Sequence, residues 1–157
     1  MTNWPHDDTR SKNAFYGDFH SPGWQALNLI HIIPPFMMYY AKQPLAHGIL
    51  VHRAVAPSLM TIFGQIWEAC GHSQAAVDKT GASDYGGCFN IRNIAGSNSW
   101  SNHSWACAID LSPNTNGFNM TPTIAHPVID AFKAQGWLWG GDYHGRKDPM
   151  HFEAVSR

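Results

Sequence analysis

Residues 101–110 have the sequence SNHSWACAID, which specifies a strand and two chemically active side chains. From Trp105 onward, large and small side chains alternate, which is the two-residue period of a β-strand. Asp110 falls on the strand face that otherwise carries only alanines, so there is room beside its carboxylate for a metal ion or a ligand. The stretch therefore predicts a strand that presents an acid, preceded by a loop that carries His103.

A second stretch, DPMH at residues 148–151, adds another histidine and another acid. His103, Asp110 and His151 are side chains of the types that bind zinc, and they leave a fourth position open for water, as catalytic zinc sites do. Asp148 precedes His151 by three residues and stands where a general base is needed. The two stretches together predict a catalytic site for one zinc ion.

The surrounding pattern predicts an α+β fold, in which a small antiparallel sheet carries the ligands and helices pack on one side. We expect helices at 24–33, 51–70 and 127–135, and strands at 36–40, 88–94, 105–111, 137–139 and 151–155. Pro57 marks the start of the second helix or a kink in it. The expected loops are 80–87, 96–102, 112–123 and 140–147, and residues 1–23 are expected to form an irregular lead-in. Because neither a repeat nor a linker interrupts the pattern, residues 1–157 are expected to form a single domain.

Composition excludes several classes of function. The net charge is -1 and only 13% of the 157 residues are charged, so no electrostatic field favours nucleic acid or an anionic membrane. No run of eighteen apolar residues predicts a transmembrane helix, and the polar start of the sequence does not resemble a secretory signal. Three cysteines, Cys70, Cys88 and Cys107, cannot all pair with one another, and without a secretory signal we expect reduced thiols. Their spacing lacks CxxC, which argues against a cysteine zinc site.

The motif set resembles peptidase family M15, the zinc peptidases that cut bacterial peptidoglycan, and within it the subgroup that includes phage endolysins. The family pattern is Ser-x-His, a small-residue strand ending in Asp, and an acid shortly before a final His. Ser101, His103, Asp110, Asp148 and His151 match this pattern one by one. The flanking sequences GGCFNIR, WGGD and HFE are also similar to the family, and the resemblance covers roughly residues 34 to 154.

The resemblance implies a fold like that of the hedgehog domain and the D-Ala-D-Ala peptidases, with one zinc ion per chain. It implies that His103, Asp110 and His151 bind the metal and that Asp148 acts first as base and then as acid. It also implies that Arg92 binds the substrate or the developing oxyanion. The remaining implied substrate contacts are Ser101, in a loop, and Trp139, in an aromatic groove. The sequence departs from many relatives at Ala106, where they have Gly, and at Tyr143, where they have Trp.

The implied partner is bacterial peptidoglycan, and we expect a monomer that is made in the host cytoplasm and acts on the wall after release. The first hypothesis is an L-alanyl-D-glutamate endopeptidase. The alternative within the family is a D-alanyl-D-alanine carboxypeptidase or dipeptidase. A non-catalytic zinc-binding module is a weaker alternative, because a purely structural site would not need Asp148. An aromatic wall-binding domain is weaker still, because neither repeats nor a separate binding segment support it.

Overall fold

The computed structural model describes residues 3–157, which form five helices and three small antiparallel sheets. The helices are α1 (Thr9–Tyr16), α2 (Trp24–Asn28), α3 (Ala56–Ala69), α4 (Gln74–Thr80) and α5 (His126–Ala134). The strands are β1 (Leu29–Ile32), β2 (Tyr39–Tyr40), β3 (Gln43–Pro44), β4 (Ile49–His52), β5 (Tyr85–Gly87), β6 (Ala108–Leu111), β7 (Leu138–Trp139) and β8 (His151–Glu153). This architecture confirms the predicted α+β class.

The central sheet has four strands in the order β5-β6-β8-β7, and its two faces have different roles. Asp110 on β6 is paired with His151 on β8, and Ile109 is paired with Phe152. Because directly paired residues of an antiparallel sheet point to the same side, Asp110 and His151 share one face. Glu153, two residues beyond His151, lies on that face as well. Ile109 and Phe152 are fully buried on the other face, so one side of the sheet is core and the other carries the polar groups.

The two longest helices cover the core side of this sheet. Helices α3 and α5 pack against each other, and α5 also contacts β7. Phe132 of α5 stacks on Phe152 of β8, with ring centroids 4.1 Å apart. The prediction of a helix at 127–135 is confirmed to within one residue at each end. Pro57 stands in the first turn of α3, where the helix makes no use of its missing backbone N–H.

Two predicted helices are shorter than expected, for a single reason. Strand β1 pairs along its whole length with β4, so residues 29–32 leave the helix expected at 24–33 and residues 49–52 lie outside α3. A short apolar run is equally compatible with a helix and with a strand, and here the distant partner strand decides. The expected strand at 36–40 is reduced to Tyr39–Tyr40.

The prediction that residues 1–23 are irregular is wrong for Thr9–Tyr16. Asp8 caps this helix by accepting a hydrogen bond from the backbone N–H of Ser11 at 2.8 Å. Tyr16 is 1% exposed, and its hydroxyl donates to the carbonyl of Ala154 at 2.6 Å. The first two residues of the expected lead-in lie outside the described residues.

The strand expected at 88–94 does not form. The backbone there bonds to the histidine loop instead, since Asn90 N–H donates to the carbonyl of His103 and Ser101 N–H donates to the carbonyl of Arg92. The loop expected at 80–87 contains β5, and α4 precedes it. The expected loop at 140–147 includes one short 3-10 helix.

Two further expectations concern the whole chain. Among residues 3–157, no helix is both long enough and apolar enough to cross a membrane. Cys70, Cys88 and Cys107 are free thiols.

Candidate metal centre

His103 is positioned by a short 3-10 helix, Asn102–Trp105. The Ser101 hydroxyl caps this helix by accepting from the backbone N–H of His103 at 3.3 Å. The helix ends at Ala106, whose φ of 51° lies in the left-handed region that favours glycine. This conformation favours glycine at position 106, where the chain has alanine. It also removes Ala106 from β6, so only Ala108 shares the strand face of Asp110.

Three side-chain atoms converge on the polar face of the sheet. His103 Nε2 lies 3.2 Å from Asp110 Oδ1 and 3.2 Å from His151 Nδ1, and His151 Nδ1 lies 2.9 Å from Asp110 Oδ1. Both histidines are buried, and Asp110 is half-buried. The sequence-predicted ligand set is therefore brought together in space, although its members are separated by up to 48 residues of chain.

The outer nitrogen of each imidazole has an acceptor of its own. His103 Nδ1 lies 2.7 Å from the carbonyl oxygen of Cys88, and His151 Nε2 lies 3.1 Å from Glu153 Oε2. Because a carbonyl and a carboxylate accept hydrogen bonds, these outer nitrogens are the ones that carry protons in the neutral rings. The lone pairs of His103 Nε2 and His151 Nδ1 therefore point to the same space as Asp110 Oδ1. Outer partners of this kind orient the histidines of metal sites.

The charges around the triad favour a cation. Burial lowers the pKa of His151, but hydrogen bonds to Asp110 and Glu153 outweigh burial and raise the pKa to about 10. Burial raises the pKa of Asp110, but the hydrogen bonds and charges of His103 and His151 hold it well below its ordinary value. The two carboxylates therefore stabilise positive charge between them, and a divalent cation would supply it in place of the imidazolium proton.

The geometry fits a single zinc ion. Zinc binds His nitrogen and carboxylate oxygen at about 2.0–2.2 Å, which places tetrahedral ligand atoms about 3.3–3.6 Å from one another. The three observed separations, 3.2, 3.2 and 2.9 Å, come close to this value. His103, Asp110 and His151 would hold the ion, and zinc bound by three protein side chains would have a fourth position for water.

Asp148 lies beside the triad, and one of its carboxylate oxygens accepts no hydrogen bond from the described residues. Its Oδ1 is buried and has no hydrogen-bond partner among the described residues. Burial raises the pKa of Asp148 above its usual range, and the charges of His151, Asp110 and His103 also act on it. An unpartnered carboxylate with a raised pKa suits a group that must both accept and return a proton.

A close backbone approach fixes the loop that carries Asp148. The N–H of Asp148 donates to the carbonyl of Gly140 at 3.0 Å, and its own carbonyl accepts from the N–H of His151 at 3.0 Å. A β-carbon placed on Gly140 would come within 2.3 Å of the carbonyl oxygen of Asp148. Position 140 therefore requires glycine, and the two backbone hydrogen bonds connect Gly140, Asp148 and His151.

Two surface cavities meet at the triad. One, of about 220 Å³, is lined by Asp148, His151 and Ser101, and the other, of about 410 Å³, is lined by His103 and Asp110. Arg92 lines both cavities, and its exposed guanidinium makes one long hydrogen bond to the carbonyl of the adjacent residue, at 3.4 Å. The two cavities leave room for an extended ligand that lies across the triad.

Trp139 is not brought to these cavities. It lines a separate cavity of about 860 Å³, and its indole N–H donates to the carbonyl of Pro149 at 2.8 Å. Tyr143 and Arg146 line this cavity and also the smaller cavity beside Asp148, so the two adjoin. A substrate contact for Trp139 stays a prediction.

Sequence reasoning assigned no role to Glu153, Asn102 and Lys12, which form a series of hydrogen bonds that begins at His151. Glu153 is buried and bonds to its ring, and the strand alternation that places both on one face was the available indication. Asn102 donates to Glu153, Lys12 donates to Asn102, and both residues are buried. A lysine in a polar N-terminal segment gives no sign in the sequence that it is buried.

Comparison with known proteins agrees with the geometry. Residues 95–154 match a family model of peptidase family M15 that is described as D-alanyl-D-alanine carboxypeptidase. No solved structure matches the chain. The matched segment contains the three convergent side chains and Asp148. Residues 95–154 of this chain are therefore similar to peptidase family M15.

Proposed function

We propose that the chain is a zinc-dependent peptidase that hydrolyses the stem peptides of bacterial peptidoglycan. The observation that carries this proposal is the convergence of His103, Asp110 and His151 within 3.2 Å of one another, beside the unpartnered carboxylate of Asp148. A site that only stored a metal ion would gain nothing from leaving a buried acid without a partner. The zinc-binding module without catalysis is therefore the weaker reading.

The chemistry divides among named side chains. When bound, a zinc ion supplies Lewis acidity and lowers the pKa of water at the open position to about 7. Asp148 accepts a proton from the attacking water as the water oxygen bonds to the peptide carbonyl carbon. It then gives that proton to the leaving nitrogen as the C–N bond breaks, so the carboxylate is regenerated. Arg92, at the junction of the two cavities, stabilises the negative charge that develops on the carbonyl oxygen.

An endopeptidase that cuts between L-alanine and D-glutamate is the activity we favour. This preference is supported by the two cavities at the triad, because an endopeptidase must hold substrate on both sides of the cleaved bond. The description of the matched family model favours the second candidate, a D-alanyl-D-alanine carboxypeptidase. The proposal includes Ser101 and Trp139 as substrate contacts, a single monomeric domain with one zinc ion, and action on the wall after release from the bacterial cytoplasm, as a phage endolysin acts.

Product analysis tests the proposal and separates the two activities. Purified peptidoglycan is incubated with the wild-type protein and with Asp148→Ala, and soluble muropeptides are identified by mass spectrometry. A free L-alanine carboxyl on muramic acid indicates the endopeptidase, and loss of a terminal D-alanine indicates the carboxypeptidase. Wall digestion by Asp148→Ala at the wild-type rate would refute the role of Asp148, and the absence of any product with zinc-loaded protein would refute the proposed activity.

A further inference from the structure

The carboxylate of Glu153 is the centre of a buried hydrogen-bond network behind the metal centre. Glu153 is 2% exposed. Its Oε2 accepts from Asn102 Nδ2 at 2.7 Å and from His151 Nε2 at 3.1 Å. Its Oε1 accepts from the Tyr143 hydroxyl and from the Arg157 guanidinium, both at 2.6 Å. All four contacts are made by donors, so the carboxylate is fully engaged and fixed in orientation.

This network continues into the N-terminal helix through Lys12. Lys12 is 4% exposed, and its ammonium donates to Asn102 Oδ1 at 2.7 Å and to Asp7 Oδ1 at 2.9 Å. The same ammonium lies 4.3 Å from the centre of the Trp105 ring. An ammonium can only donate and an ionised carboxylate can only accept, so Lys12 and Glu153 together decide which way the Asn102 amide faces.

We propose that Glu153 is a positioning residue for the metal ligand His151, and that Lys12 holds Glu153 in place through Asn102. The proposal rests on the proposed function, in that it assumes a metal ion at the triad. By accepting the outer N–H of His151, Glu153 directs the Nδ1 lone pair toward Asp110 and His103. A carboxylate in this position also makes the ligating nitrogen more basic.

The hydrogen-bond network extends the metal centre to residues near the start of the sequence. Residues 7–12 lie outside the segment that matches the family model, 95–154. Lys12 and Glu153 nevertheless bond to the two sides of the same Asn102 amide. The N-terminal helix is therefore part of the metal centre of this chain and is not only a cover on the core.

Metal affinity separates a positioning role from a merely structural one. Glu153→Gln keeps the length of the side chain but removes its charge, and Lys12→Met keeps the buried methylenes but removes the ammonium. The matched control for the first is Glu68→Gln, because Glu68 also accepts from a histidine, His72, at 2.7 Å, but on the surface. The matched control for the second is Lys133→Met, an exposed lysine that is paired with an acid and near a tryptophan ring.

Zinc binding to metal-stripped protein is measured by competition with a chromophoric chelator, with circular dichroism to verify folding. We expect Glu153→Gln to weaken zinc affinity by about 10- to 100-fold, the usual effect of removing such a partner. Lys12→Met acts one contact further away and is expected to weaken affinity by about 3- to 10-fold. Both controls should bind zinc as the wild type does.

A spectroscopic signature provides the second readout. In the zinc-loaded wild type, the Nε2 proton of His151 should resonate far downfield in the proton NMR spectrum, and in Glu153→Gln it should move upfield. If Glu153→Gln does not fold, Lys12→Met carries the test alone. Wild-type affinity in every folded variant would overturn the positioning role while leaving the proposed function intact. Failure of the wild-type protein to bind zinc would overturn both.

Discussion

Asp148→Asn tests the chemical role of the carboxylate with the least change in shape. The substitution keeps the size of the side chain and its ability to form hydrogen bonds, but an amide cannot take a proton from water at neutral pH. Because Asp148 Oδ1 has no hydrogen-bond partner in the described structure, no other protein contact is lost with it. The effect on activity therefore measures proton transfer rather than a collapse of the loop.

The expected magnitude follows from what Asp148 must do. General acid–base catalysis by one positioned group contributes about 10²- to 10⁴-fold in rate. Asp148 serves in both directions, and burial raises its pKa toward neutrality, so we expect the upper part of that range. A loss of about 10³- to 10⁴-fold in kcat corresponds to about 4–5.5 kcal/mol of transition-state stabilisation. Folding stability should rise by about 1 kcal/mol, because a buried and unpartnered charge is removed.

The assay follows the release of soluble stem peptides from purified peptidoglycan, with bound zinc and thermal unfolding measured on the same samples. The control is Asp142→Asn, an exposed carboxylate of the same loop region that pairs with Lys133. The control should retain wild-type activity, and both variants should bind zinc within about threefold of the wild type, because neither carboxylate belongs to the convergent triad. Activity above one tenth of wild type in Asp148→Asn would refute the assignment, as would loss of zinc.

Three further predictions concern the loop, the core and the metal. Gly140→Ala should lower kcat by about 10- to 100-fold in the peptide-release assay, because a β-carbon would displace the Asp148 backbone; unchanged kcat would contradict the requirement for glycine. His52 is buried, and burial lowers its pKa in the folded protein below the value near 6.5 of the unfolded chain. Because the unfolded chain binds the proton first, the free energy of unfolding falls as pH drops below about 6.5. His52→Gln should flatten this fall in urea unfolding between pH 7.5 and 5, and equal slopes would contradict it. Removing zinc should leave the far-ultraviolet circular dichroism unchanged and lower Tm by about 5–10 °C, since saturation at 100 times Kd contributes about 2.7 kcal/mol; outright melting would show that the core depends on the metal.

The convergence of His103, Asp110 and His151 is predictable from the sequence because local pattern largely determines it. The alternation along residues 105–111 places Asp110 on the open face of a strand, and the pairing with His151 follows once the two strands are neighbours. The helix at His126–Ala134 is likewise specified locally, by a proline near its start and an apolar stripe.

Elements that depend on distant partners are not predicted. Residues 29–32 have the composition of either a helix or a strand, and only their pairing with Ile49–His52 makes them a strand. The N-terminal helix is anchored by contacts that span 90 residues for Lys12 and 138 residues for Tyr16. A lysine is normally exposed, so its burial follows from acceptors that only the folded chain brings to it.

The most direct test of the central claim is a zinc titration of metal-stripped protein, with bound zinc and stem-peptide hydrolysis measured in the same samples. We predict that hydrolysis is absent without metal, rises in proportion to bound zinc and saturates at one ion per chain. Substitution of His103, Asp110 or His151 by alanine should abolish both tight binding and hydrolysis. Full hydrolysis by metal-free protein, or one tightly bound ion in all three variants, would contradict the account.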